Sequence, residues 1–152
     1  MTDVHFYFNV PDKLNLACRL ARKAFMQESG MVLTGNAAVL AQLDDMLWQM
    51  TASDFVAHDL ETSTASPTLV APVQLREAIS AESLAQQEGV FKPTLLLSLW
   101  DEVPAAFSHF EHVYELVSAQ DGADRERARM RWRYYQQRGY AIHRHDLAQR
   151  NA

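Results

Sequence analysis

The chain has 152 residues, 48% of them hydrophobic and 22% charged, with a formal net charge of −5. That length suits one full core and is short for two, so a single domain over residues 1–152 is expected. The acidity argues against bulk attraction to nucleic acid, the apolar runs are too short for a membrane-spanning helix, and MTDVHFYFNV lacks the basic and long apolar regions of a secretory signal.

HFYFNV (5–10) predicts a strand, with Phe6, Phe8 and Val10 on one face by alternation. Pro11 fits the first turn of a following helix, and Asp12 favours its positive end. Leu14, Ala17, Cys18, Ala21, Ala24 and Phe25 recur at helical spacing, and Gly30 suits a C-cap. MVLTG (31–35) predicts a buried strand. Asn36 then caps a second helix with the stripe Val39, Leu40, Leu43, Leu47, Met50. Residues 61–93 predict one strand near 68–72 within loop. TLLLSLW (94–100) is a continuous apolar run, as a strand buried on both faces requires. HVYELV (112–117) is a further strand, 123–140 a long helix, and YAIHRH (140–145) a last strand. Strand–helix alternation with short loops predicts a single three-layer α/β domain: a mostly parallel central sheet with helices on both faces.

Such a layout invites a nucleotide-binding reading, and the glycines oppose it. The junctions NVPDKL and VLTGNAAVL match neither G-x-G-x-x-G nor G-x-x-x-x-G-K-[ST], so a Rossmann-like domain without a nucleotide site, and no cofactor, is expected. His143 and His145 share a face on a strand, yet no cysteine or second ligand pair nearby completes a metal shell. An exposed edge strand explains them more simply, and no metal is expected. Cys18 lies on the apolar stripe of the first helix, where a buried, inert thiol is ordinary. As the single cysteine it excludes an intramolecular disulfide and fits a reducing cytoplasm. His58 falls in an expected loop, no serine sits in a G-x-S-x-G elbow, and the carboxylates of Asp44 and Asp45 diverge on a helix. No catalytic constellation assembles, so the expected function is not enzymatic.

Two features suit a partner. Trp48 lies about a quarter turn from the centre of its helix's stripe; with Phe55 and Val56 it forms an apolar contact patch, or the following loop buries it. The second is the stretch ADRERARMRWRYYQQRGY (123–140). It holds six of the fourteen Lys+Arg residues against two acids, leaving the rest of the chain at −9. Helical projection gathers Arg125, Arg129, Trp132 and Gln136 on one side, with Ala128 and Tyr135 beside them. Six arginines cannot all be buried, and Arg127 and Arg131 are candidates for pairing with local acids. Arginine beside tryptophan offers a fork for a carboxylate or phosphate next to an apolar wall. That suits a peptide C-terminus or, as the alternative, direct binding of single-stranded nucleic acid.

DDMLWQMTASDFVAHDL (44–60), the YELV strand and RARMRWRYYQQRGYAIHRHDL (127–147) resemble the chi subunit family of bacterial DNA polymerase III. The ordered combination is D-x-x-L-W, then S-[DE]-F-x-x-H, then an aromatic–basic helix ending R-G-[YF]. The resemblance implies a non-catalytic accessory subunit of the clamp-loader assembly, with a fold like that of nucleotide-binding domains. Family members bind the acidic C-terminal tail of single-stranded-DNA-binding protein, which ends in an apolar pair and a free carboxylate. Where a psi subunit exists, chi pairs with it, and some members partner a repair helicase. The resemblance puts tail binding on Arg125, Arg129 and Trp132, with Val117 as pocket wall. It puts partner docking on Phe55 with Leu47, Trp48 and Val56. Nucleic acid is then met only indirectly, and no membrane is involved.

Overall fold

The computed structural model describes residues 2–27, 29–48, 58–60, 73–76, 93–104 and 106–147. Within them the elements run β1 (Asp3–Val10), α1 (Lys13–Met26), β2 (Gly30–Thr34), α2 (Ala37–Trp48), β3 (His58–Leu60), β4 (Val73–Arg76), β5 (Pro93–Ser98), a 3₁₀ turn (Phe107–His109), β6 (His112–Ser118), α3 (Gly122–Gln137) and β7 (Ala141–Asp146). The strands form one sheet in the order β3-β4-β2-β5-β6-β1-β7, and each pairing is parallel. This is the expected α/β layout with helices on both faces.

Topology decides which helix covers which face. The chain moves from β1 to β2 and from β2 to β3 in one direction along the sheet, but from β6 to β7 in the other. Right-handed crossovers therefore put α1 and α2 on one face and α3 on the opposite face. Burial agrees. Tyr7, Met31, Leu33, Leu97 and Leu116 pack with Ala17, Cys18, Ala21 and Ala24 of α1 and Leu40, Leu43 and Leu47 of α2. Val4, Phe6, Val32, Leu96, Val113 and Val117 pack with Ala128 and Tyr135 of α3, and with Phe107 and Phe110. The small side chains of α1 let that helix lie close to the sheet.

Several local expectations are corrected. Val10 does not share a face with Phe6: it packs in the α1 layer, because Asn9 takes φ 57° and the β1–β6 register slips between Tyr7 and Val10. An irregularity of that kind inverts the alternation that follows it. Asp12, with Pro11 before it, is the N-cap of α1, its carboxylate accepting from the Asn15 amide at 3.1 Å. Gln27 is the C-cap, and Gly30 opens β2. His58, expected in a loop, begins β3. The strand expected near 68–72 lies outside the described residues, and β4 starts at Val73. Asn36 caps α2 as expected, accepting from the Val39 amide at 2.8 Å.

α3 ends at Gln137, three residues short of the expected helix end at 140, with Arg138 as C-cap. Gly139 takes φ 80°, the Gly139 amide donates to the Gln136 carbonyl, and the Tyr140 amide donates to the Tyr135 carbonyl. This left-handed closing turn favours glycine and aims the chain directly into β7.

β1 and β6 are neighbours whose chains leave toward opposite faces, so the crevice between their C-terminal ends is the position where open α/β sheets hold ligands. Here one of the protein's own carboxylates, that of Asp124, occupies it. Asp124 Oδ2 accepts from the Ser118 amide at 2.8 Å, and its Oδ1 accepts from Lys13 Nζ at 3.0 Å. Burial works to raise the Asp124 pKa, but the Ser118 amide and the Lys13 ammonium outweigh it and hold the carboxyl below its ordinary value. A phosphate brought to this crevice would meet a fixed anion.

Candidate functional site

The sequence of α3 sets its own lateral face. Arg125, Ala128, Arg129 and Trp132 follow the i, i+3, i+4, i+7 spacing that aligns side chains along one side of a helix. Together with Phe8 of β1 and Arg144 of β7 they line a groove of about 400 Å³. Its floor is aromatic: Trp132 lies 5.0 Å from Phe6 and 6.0 Å from Phe8, ring centre to ring centre. The Arg144 guanidinium sits over the Phe8 ring at 5.6 Å and the Trp132 ring at 6.0 Å. Three guanidinium groups thus surround an apolar floor, and the residues lining the groove include no acid.

The six arginines of the helix divide by what they touch. Arg131 is buried, donating from Nε to Glu115 Oε1 at 3.1 Å and from Nη1 to the Asp101 carbonyl at 2.9 Å. Tyr135 donates its hydroxyl to the other Glu115 oxygen at 2.8 Å. This network ties α3 to β6 beneath the groove. Burial raises the Glu115 pKa, with Arg131 and Tyr135 pulling it back, and burial beside the Glu115 carboxylate raises that of Tyr135. Arg127 pairs with Asp101 at 3.1 Å, and Arg138 stacks on the Tyr134 ring at 3.8 Å. Arg133 is exposed and is not among the lining residues. Arg125 and Arg129 remain at the groove. Arg125 reaches the Ala119 carbonyl at 3.4 Å, and Arg129 pairs with Glu126 at 2.7 Å, both side chains of that pair being largely exposed. A solvated ion pair of this kind is worth about 0–1 kcal/mol and exchanges readily for a better anion.

Arg125, Arg129 and Trp132 are therefore brought together. Val117 is not: it is 1% exposed, within the core cluster that also holds Ala128, and it does not line the groove. Leu47 is likewise a core residue at 0% exposure. Trp48 is the last residue of α2, while Phe55 and Val56 lie outside the described residues. Cys18 is buried, and burial, then Asp12, push its thiol up to about 11.

Phe8 and Arg144 are the groove residues that sequence reasoning missed. Alternation along β7 puts Arg144 on one face with Ile142, but its place at the groove needs β7 to lie against β1, where it pairs with Phe6. Strand neighbours of that kind are not written in either segment alone.

The comparisons with known proteins point in one direction. Residues 1–143 match the family described as DNA polymerase III chi subunit, HolC. The chain belongs to the chi subunit family of DNA polymerase III. A curated relative, DNA polymerase III subunit chi of Pseudomonas aeruginosa, is 33% identical over 153 aligned positions, covering 97% of this chain and 98% of the relative. Membership makes the chain an accessory subunit of the replicative polymerase. Among the described residues no helix is long and apolar enough to cross a membrane.

On the α1 side of the same strands lies a second polar cluster. His5 sits between His145, with His5 Nδ1 and His145 Nε2 3.1 Å apart, and His112, with His5 Nε2 and His112 Nδ1 3.1 Å apart. Burial, then the neighbouring imidazoles of His112, His143 and His145, lower the His5 pKa from 6.5 to about 4, against a small opposing pull from Asp3. The unfolded chain takes up this proton as pH falls through about 6.5, the folded chain only near 4, so the unfolded state binds more protons in between. His5 therefore leaves stability intact above about pH 6.5 and subtracts from it progressively down to about pH 4. Urea unfolding midpoints should fall between pH 7.5 and pH 5, and His5→Gln should shrink that fall. An unchanged pH slope in His5→Gln contradicts the expectation.

Proposed function

We propose that this accessory subunit uses the α3 groove to bind the acidic, carboxylate-terminated tail of single-stranded-DNA-binding protein, and so links that protein to the clamp loader in the cytoplasm. The observation that carries the reading is the ring of Arg125, Arg129 and Arg144 around the Phe8–Trp132 floor. A terminal carboxylate gains charge-assisted hydrogen bonds from the guanidinium forks, and the last apolar side chain covers the aromatic floor. Acids further up the tail meet the remaining arginines through longer-range, salt-sensitive attraction. The chain has no catalytic role in this reading and needs no cofactor. The segment from Trp48 to Phe55 and Val56 serves partner docking, with Leu47 supporting it from the core, to a psi subunit where one is present, and a repair helicase is a further partner.

The second reading is direct binding of single-stranded nucleic acid, favoured by Trp132 and Arg144 as a stacking platform. The net charge of −5 opposes it, because the rest of the surface repels a polyanion. One fluorescence anisotropy titration separates the two. An acidic peptide ending in a free carboxylate should bind, its amidated form should bind far more weakly, and an unstructured oligonucleotide should not bind. Equal affinity for the amidated peptide contradicts the carboxylate reading, and tight oligonucleotide binding with a steep salt dependence favours the second.

A further inference from the structure

The His143-x-His145 pair, which has no completing ligands nearby in the sequence, gains one from the next strand. β7 puts both imidazoles on one face, and its parallel ladder sets His5 of β1 directly beside His143. The His5 ring stacks on both, at 4.8 Å from His143 and 5.3 Å from His145 between centroids. His5 Nδ1 and His145 Nε2 are 3.1 Å apart. Two nitrogens each ~2.0–2.1 Å from one zinc ion stand about 3 Å apart across it. The His5 and His145 rings, which share a hydrogen bond, therefore already stand near the spacing of two ligands, and they need to turn their lone pairs to one side.

We propose that His5, His143 and His145 form a binding site for a borderline divalent transition ion, Zn²⁺ or Cu²⁺, at the junction of β1 and β7. The surroundings favour it. His112 Nδ1, 3.1 Å from His5 Nε2, accepts the His5 proton there and leaves the Nδ1 lone pair for the ion. Tyr7 stacks on His145 at 4.5 Å and holds its ring plane. Among the described residues no group of three His, Cys, Asp or Glu side chains stands in a geometry that could hold a metal ion, so the site requires His143, whose side chain is half exposed, to swing in as the third ligand. Three imidazoles and a water suit Zn²⁺, and the Irving–Williams order puts Cu²⁺ above it.

The test uses the full chain without a polyhistidine tag, titrated with Zn²⁺ by calorimetry and with Cu²⁺ by electron paramagnetic resonance. One ion per chain is expected, with nitrogen splitting of the copper signal. His143→Gln and His145→Gln, each checked for folding by circular dichroism, should weaken Zn²⁺ binding at least about tenfold. The exposed His109→Gln, in the 3₁₀ turn, should leave it unchanged. Absence of binding, or wild-type binding by His145→Gln, overturns the proposal and leaves the cluster as a hydrogen-bonded imidazole stack.

Discussion

Arg129→Ala is expected to weaken binding of the carboxylate-terminated peptide by about tenfold or more while leaving the fold intact. A hydrogen bond to a charged group contributes about 1.5–3 kcal/mol. Against it stands the Arg129–Glu126 pair that the tail must displace, worth about 0–1 kcal/mol because both side chains are largely exposed. The balance favours the tail by roughly one factor of ten or more. Arg129 adds nothing to the core, so its unfolding midpoint should stay within about 0.5 kcal/mol of wild type. Glu126→Gln should act in the opposite direction, since it frees the guanidinium and removes an acid beside the groove. Arg144→Ala tests the other wall and should lose affinity without loss of the amidation effect if Arg129 holds the carboxylate. Wild-type affinity in Arg129→Ala would sink the assignment of the carboxylate to this residue, and the anisotropy titration reads it directly.

The layering was legible because period and length carry it. The apolar run of β5 predicts a strand buried on both faces, and Leu95 and Leu97 indeed pack in one layer while Leu96 packs in the other. The helical stripe of α1 and the Asn36 cap of α2 are local signals and were read correctly. The Arg125–Arg129–Trp132 alignment is equally local, being fixed by 3.6-residue periodicity alone. What escaped is long-range. Arg144 and Phe8 join the groove only because α3 carries the chain over β1, so that β7 lies beside it. The reversed face of Val10 depends on the left-handed turn at Asn9, whose side chain donates to Asp146 at 2.8 Å from the end of β7. The expectation that Arg131 pairs with an acid was right, but the partner is buried Glu115 across the α3–β6 interface rather than a surface neighbour. Likewise His5 and His112 are far in sequence from the His143-x-His145 pair and meet it only through adjacent strands.

Arg131→Ala should be the most destabilising of the substitutions considered, because it removes the cation from a network with no access to water. Arg131 is 4% exposed, and Glu115 and Tyr135 are both fully buried. Alanine would leave the Glu115 carboxylate with the Tyr135 hydroxyl as its remaining side-chain donor in this network, and the Asp101 carbonyl without its guanidinium donor. Breaking a buried pair from one side typically costs about 3–5 kcal/mol, most of it the uncompensated charge. The Glu115 pKa, already raised by burial, should then rise further, so that Arg131→Ala recovers part of its stability as pH falls and the carboxyl is protonated. Removing both partners is a different case: Glu115→Leu with Arg131→Met leaves no buried charge and should be far less costly than either single change, though the Tyr135 hydroxyl loses its acceptor. Urea unfolding of the two single variants and the double variant measures this coupling. A loss below about 1 kcal/mol in Arg131→Ala would show that the pair does not hold α3 against β6. A double variant that is stable yet binds the peptide poorly would show something more specific: that the network's task is to hold the register of Arg125, Arg129 and Trp132 over the Phe8 floor, not to supply stability.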